Sequence, residues 1–141
     1  MDSINKYQRK ALRAALKAKP YLKALADRLL SLGGTCPCIW NEGFHAHEGF
    51  IKDLLLLGRV SNGKGAKLRL MQTSQCHGNA ARLSARYPHL YQYETGFAVS
   101  SDGTWRPHSW CWAIKDNHIV ETTELRVRYL GLTLNAPQEA A

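Results

Sequence analysis

Export and membrane signals are missing from this 141-residue sequence. The leucine run Leu54–Leu57 is far too short to cross a bilayer, which takes about 20 apolar residues. The basic N-terminus has no apolar stretch ending in a small-residue cleavage site, so a cytoplasmic location is the expectation. Repeats and low-complexity segments are absent, so nothing divides the chain into an array or a linker-joined pair. Acidic residues are scarce: 11 Asp and Glu face 19 Lys and Arg, for a net charge of +8. That excess is uneven. Residues 1–35 hold eight Lys or Arg against Asp2 and Asp27, a net +6 that leaves only +2 for the rest. A field of this kind attracts nucleic acid, acidic proteins or anionic lipid without choosing among them.

What remains is ordinary for one globular domain. A chain of about this length buries roughly two thirds of its unfolded surface, so a core forms without disulfides or metals. Cys36, Cys38, Cys76 and Cys111 are expected to be reduced thiols, each to be read for reactivity or packing. The tight Cys36-Pro37-Cys38 and His45-Ala46-His47 spacings argue against a structural zinc site, although His45 or His47 can line a cleft. The expectation is no metal and no organic cofactor.

Periodicity predicts a helix over 3–18 with Ser3 as N-cap. Ile4, Tyr7, Ala11, Ala14, Ala15 and Ala18 form its apolar stripe among Lys6, Arg9, Lys10, Arg13 and Lys17. Those five cations are the candidate partner-binding residues, with a solvated face as the plainer reading. Pro20 suits the first turn of a second helix that Gly33-Gly34 ends. Residues 35–49 read as irregular, and Phe50–Leu57 as a short buried helix. A turn at 61–65 precedes a strand signal at Lys67–Leu70, and Cys76–Arg86 is a helix stopped before Pro88. Strands follow at 91–99, 105–114, 118–123 and 125–129, turned by Ser101-Asp102-Gly103 and Asp116-Asn117. The predicted class is α+β, helices on an antiparallel sheet of about four strands in a single domain. Within it, 1–34 is a basic helical segment, 35–135 a core and 136–141 a frayed tail.

The order Cys76, His108, Glu121 carries the chemistry. A thiol nucleophile needs an imidazole to take and return its proton and a carboxylate to fix the imidazole tautomer. A cysteine in the first turn of a helix faces unpaired N–H groups, which lower its pKa and can hold an oxyanion. The hairpin at Asp116-Asn117 sets Glu121 beside His108, with Asp116 or Asn117 as alternative acids or orienters. Trp110 is expected to shield the pair from water, Cys111 to be core, and Asn79 to tie the helix to the preceding loop. His77 is an alternative base, but as a helical neighbour of Cys76 it is expected to point away from it.

The pattern Cys76, Gly96-Phe97-Ala98, His108-Ser109-Trp110 and Ile119-Val120-Glu121-Thr122-Thr123 resembles the core of transglutaminase-like and papain-like thiol enzymes. It covers residues 70–130. The resemblance implies a helix packed on an antiparallel sheet and nucleophile, base and orienting-acid roles for Cys76, His108 and Glu121. Two departures stand out: the acid is Glu followed by Thr where the family has Asp followed by Pro, and Thr73-Ser74-Gln75 replaces small residues. Gln72 or Gln75 is a candidate oxyanion donor. The expected function is a cysteine-dependent hydrolase or acyltransferase on an amide or acyl bond, with a protein or peptide substrate. The alternative is a non-enzymatic basic module that grips nucleic acid or an acidic protein.

Overall fold

A computed structural model describes residues 6–39 and 42–134. The expectations for Ser3, Ile4 and the 136–141 tail lie outside those residues. Among the described residues are four α-helices: α1 (Lys6–Ala18), α2 (Pro20–Leu32), α3 (Glu48–Leu57) and α4 (Cys76–Arg86). Proline at the first turn starts α2, and Gly33 at φ +131° ends it with its N–H on the Leu30 carbonyl. Leu22, Leu25, Ala26 and Leu29 form its buried stripe, the spacing of one helical face. They pack with Phe50, Ile51 and Leu54 of α3. By contrast, α1 buries only Ala15.

The sheet corrects the expectation of about four antiparallel strands. Seven are present: β1 (Cys36–Pro37), β2 (Arg59–Asn62), β3 (Lys67–Leu68), β4 (Tyr91–Val99), β5 (Thr104–Ala113), β6 (His118–Glu121) and β7 (Arg128–Leu134). The sheet is mixed, because β1 pairs parallel with β5 and β3 parallel with β6. β1 and β2 are two and four residues long, too short to show an alternation, while β3 falls within the strand signal at Lys67–Leu70. The last strand also starts later than predicted: β7 matches β4 through Leu134, while Leu125 and Val127 are exposed before it. Gly131 in its middle hides the strand from propensity.

Strand order is β2-β7-β4-β5-β6-β3, with β1 added beside β5. The two edge strands β2 and β3 are thus neighbours in sequence. Asn62 and Lys67 are five positions apart, a reach of at most ~18 Å, whereas a flat path of six strands separates its edges by roughly 24 Å. The sheet must curl. Its outer face packs Phe97, Val99, Trp105 and Leu130 against α2 and α3, and Tyr93, Cys111, Ala113 and Val120 against Ala80, Ala81 and Leu83 of α4. The inner face holds a smaller cluster of Ala98, Trp110, Ile119 and Tyr129.

Two glycines make the inner face possible. A methyl on Gly96 would collide with the Leu130 carbonyl of β7, and one on Gly131 would enter the Trp110 ring. Close approach of strand and indole requires both to be bare.

Candidate active site

The site sits in a notch of the sheet. β4 occupies one whole edge of β5 from Tyr91↔Ala113 to Val99↔Trp105. The other edge is shared: β6 takes Cys111–Ala113 and β1 takes Thr104–Trp105. Between those pairings lies His108-Ser109, and here the N-terminus of α4 enters. Because side chains alternate along a strand, His108 turns to the inner face of the curl and Ser109 to the face carrying α4.

Cys76 is the first residue of α4. A left-handed turn at Ser74 (φ +59°) aims the chain into the helix. Asn79, fully buried, ties that turn down as expected. Its Nδ2 donates to the Gln72 carbonyl (2.7 Å), its N–H to the Gln75 carbonyl (2.7 Å), and Arg82 donates to its Oδ1 (2.9 Å).

His108 and Glu121 are brought together. Continuing the β5–β6 register sets Glu121 across from Trp110, two residues from His108 on the same face, a diagonal that long side chains span. His108 Nε2 lies 2.7 Å from Glu121 Oε1, with His108 3 % and Glu121 0 % exposed. Tyr129 Oη donates to the same oxygen (2.9 Å), and Oε2 accepts from Thr122 N–H (3.0 Å), Thr123 N–H (3.2 Å) and Thr123 Oγ1 (3.2 Å). Thr122 therefore supplies a backbone donor that a proline at this position would lack. Asp116, the alternative acid, stands at the exposed turn 3.9 Å from His118, and Asn117 forms that turn with φ +54°.

Burial would raise the Glu121 carboxyl, but hydrogen bonding and charge from His108, then Tyr129 and Thr123, hold it below its usual range. Burial would likewise lower His108, but hydrogen bonds to Cys76 and Glu121 raise it. For Cys76, burial pushes the thiol up. Hydrogen bonding to His108 and then His77, with their charge, overcomes it and brings the pKa to about 5. Cys111 is the opposite case: buried against Ala80 O at 3.4 Å, it is pushed up to about 12.

The expectation for His77 is overturned. Its ring stands beside Cys76 and helps to lower the thiol pKa, and its Nδ1 lies 2.5 Å from Ser109 Oγ. Side chains on a helix tilt toward its N-terminus. At the tip there is no preceding turn to separate them, so residues 76 and 77 both project beyond the end. His45, on a single 3-10 turn at Phe44–Ala46, reaches Thr95 Oγ1 at 2.8 Å and packs on His77 with ring centroids 5.1 Å apart. Burial first, then the charges of His77 and His108, draw its pKa to about 4. Thr95, Tyr93 and Tyr129 carried no functional signal in the sequence; His77 was legible only as an alternative base beside Cys76, and Ser109 only as the strand neighbour of His108.

The remaining candidates are spread out. Trp110 is fully buried with its ring centroid 5.8 Å from that of His108, and its Nε1 donates to Glu94 (3.0 Å), closing the inner face over the pair. Gln72 and Gln75 are exposed, contributing their carbonyls to Asn79. Lys6, Arg9, Lys10, Arg13 and Lys17 are all exposed on α1. Arg13 and Lys17 line a separate groove of about 470 Å³ with Leu16, Pro20 and Lys23. Cys36 is buried on β1, His47 is exposed ahead of α3, and among the described residues no three His, Cys, Asp or Glu gather to hold a metal. A cleft of about 220 Å³ opens beside the sulfur, lined by Cys76 and by Leu70, Met71, Ser74, Thr123 and Arg126 among others.

No family model, curated protein or solved structure matches the chain. Among the described residues, no helix is long and apolar enough to cross a membrane.

Proposed function

We propose that the protein is a cysteine-dependent hydrolase or acyltransferase acting on an amide or related acyl bond. One observation carries the reading: a thiol at a helix tip, against an imidazole that is itself bound to a buried, fully hydrogen-bonded carboxylate. The motif order and this geometry support a relationship to transglutaminase-like and papain-like thiol enzymes.

The steps follow from the residues. With Nε2 of His108 committed to Glu121, Nδ1 is the nitrogen left for the sulfur. Cys76 attacks the carbonyl carbon as thiolate, and the oxyanion is held by N–H groups of the first turn of α4. The imidazolium of His108, stabilised by Glu121, gives its proton to the leaving amine. Water or a second amine then attacks the acyl-enzyme, and His108 takes the proton back. A protein or peptide substrate fits the open cleft, which mixes Leu70 and Met71 with Thr123 and Arg126.

Iodoacetamide labelling as a function of pH tests the reading. Cys76 is expected to label throughout pH 6–7, far ahead of Cys36, Cys38 and Cys111. Equal labelling of all four thiols would overturn it.

The second reading, a basic module for an acidic macromolecule or nucleic acid, is favoured by the exposed cations of α1. It predicts binding that weakens steeply with salt and is indifferent to Cys76→Ala.

A further inference from the structure

The hydroxyl groups behind Cys76 form a closed hydrogen-bonded set whose proton count can be read from the distances. Five contacts connect it: Tyr93 Oη to Ser109 Oγ (3.0 Å), Ser109 Oγ to Thr95 Oγ1 (2.7 Å) and Thr95 Oγ1 to the His108 carbonyl (3.2 Å). His77 Nδ1 to Ser109 Oγ (2.5 Å) and His45 Nε2 to Thr95 Oγ1 (2.8 Å) complete it. Each hydrogen bond needs one proton, and a hydroxyl supplies only one. Tyr93, Thr95 and Ser109 therefore furnish three, and the other two must come from the rings. Both histidines are donors: His77 at Nδ1 and His45 at Nε2. The directions then follow without conflict. Thr95 donates to the His108 carbonyl, Ser109 to Thr95, and Tyr93 to Ser109.

From this count we infer that His77 is a second catalytic imidazole, held in one tautomer with its basic Nε2 presented to Cys76. The inference rests on the reading of Cys76 as nucleophile and extends it: the thiol proton has two acceptors, His108 and His77. When the S–H bond breaks toward His77, the proton arrives at Nε2 while Nδ1–H stays on Ser109. The product is a thiolate–imidazolium pair with every polar contact of the set still made. His108, on the opposite face of β5, stays neutral and coupled to Glu121 in that form, so the proton at His77 Nε2 is the one delivered to the leaving amine, and His108 Nδ1 then takes a proton from the attacking water.

The groups around His77 are compatible with that cation. Ser109 and Tyr93 approach from β5 and β4 as neutral hydroxyls, and Cys76 lies on its own helix. His45, packed on its ring from the 3-10 turn, is uncharged near neutral pH and adds no repulsion. Glu121 compensates the nearby His108.

The test is a pH titration of thiolate absorbance near 240 nm, read alongside the pH dependence of iodoacetamide alkylation. It covers wild type, His77→Gln, Ser109→Ala, His108→Gln and the double variant His77→Gln/His108→Gln. Removing one cationic partner at this range is expected to raise the thiolate pKa by about 1 unit or more in His77→Gln. His108→Gln keeps a partly depressed value, and only the double variant returns to the range of an ordinary thiol. Ser109→Ala, which releases the tautomer but leaves the ring, is expected to fall between wild type and His77→Gln. A depressed pKa in wild type that His77→Gln does not move overturns the inference and leaves the proposed function standing. An ordinary pKa in wild type overturns the proposed function itself. Circular dichroism of each variant separates a change at the sulfur from a failure to fold.

Discussion

Two regions stand out for chemistry in this chain, helix α1 and the tip of helix α4, and they are built in opposite ways. α1 concentrates charge on an exposed surface and buries a single alanine. Its cations lie on an exposed surface, where charge is screened, so nothing in its geometry selects one partner over another. At the α4 tip the charges are fewer and converge. Cys76, His108 and Glu121 come from one helix and two strands into a space where burial makes an unpaired charge costly, with the exposed His77 at its rim. A count of charges points to the first region, and only convergence points to the second.

The largest effect that would break this comparison is on turnover. Cys76→Ala is expected to lower hydrolysis of an activated aryl ester or anilide by roughly 10⁴-fold or more, with circular dichroism unchanged. Retained turnover would remove the α4 tip from consideration and return attention to α1.

Next comes stability. Glu121→Gln keeps the shape but removes the charge facing His108, and breaking a buried pair costs about 3 kcal/mol, measurable by urea unfolding. The pH dependence sharpens it. Glu121 has a lowered pKa, so its contribution is full above the unfolded value of 4.5 and is lost as pH falls through the lower folded value. His108 has a raised pKa, so its contribution is full below 6.5 and is lost as pH rises through the higher folded value. The difference between wild type and Glu121→Gln should therefore be greatest between about pH 4.5 and 6.5 and shrink on both sides. A difference that is flat across pH 3–9 would show that the pair is not ionised.

Gly131→Ala should follow, costing about 1–3 kcal/mol by forcing Trp110 off the strand. The near-ultraviolet tryptophan signal is the check, and an unchanged signal with unchanged stability would mean that the inner face is loosely packed. The smallest effect belongs to α1. Lys10→Glu with Arg13→Glu should change stability by no more than about 0.5 kcal/mol and leave Cys76 alkylation as it was. Loss of salt-sensitive binding to a polyanion in that variant would give α1 a partner-binding role of its own.

Local patterns made much of this architecture readable. Pro20 and Gly33-Gly34 bracket α2, Cys76–Arg86 is a helix as its spacing indicates, and Asp116-Asn117 joins β5 to β6. These features depend on neighbours within a turn or a hairpin. β1 and β2 were not readable, because two to four residues carry no period, whereas the alternation at Lys67–Leu70 did mark β3; the pairing of all three is fixed by the edges they complete. His77 shows the same limit in a sharper form. The angular separation of adjacent helical residues predicts that it leaves the sulfur, and the open helix end, invisible in a window of sequence, reverses that.

By itself the sequence determined the order of Cys76, His108 and Glu121, the helix that starts at the thiol, and the hairpin that lays Glu121 near His108. The tertiary structure decided what each of these groups touches. Joining β2 to β3 through so short a link bends the sheet until His108 and Glu121 are enclosed, and the gap between β6 and β1 admits the helix tip. Hydrogen bonds among Tyr93, Thr95 and Ser109 then form because these side chains are excluded from water together and a group deprived of water must find a partner, and the half-buried His45 and exposed His77 close on them from the rim.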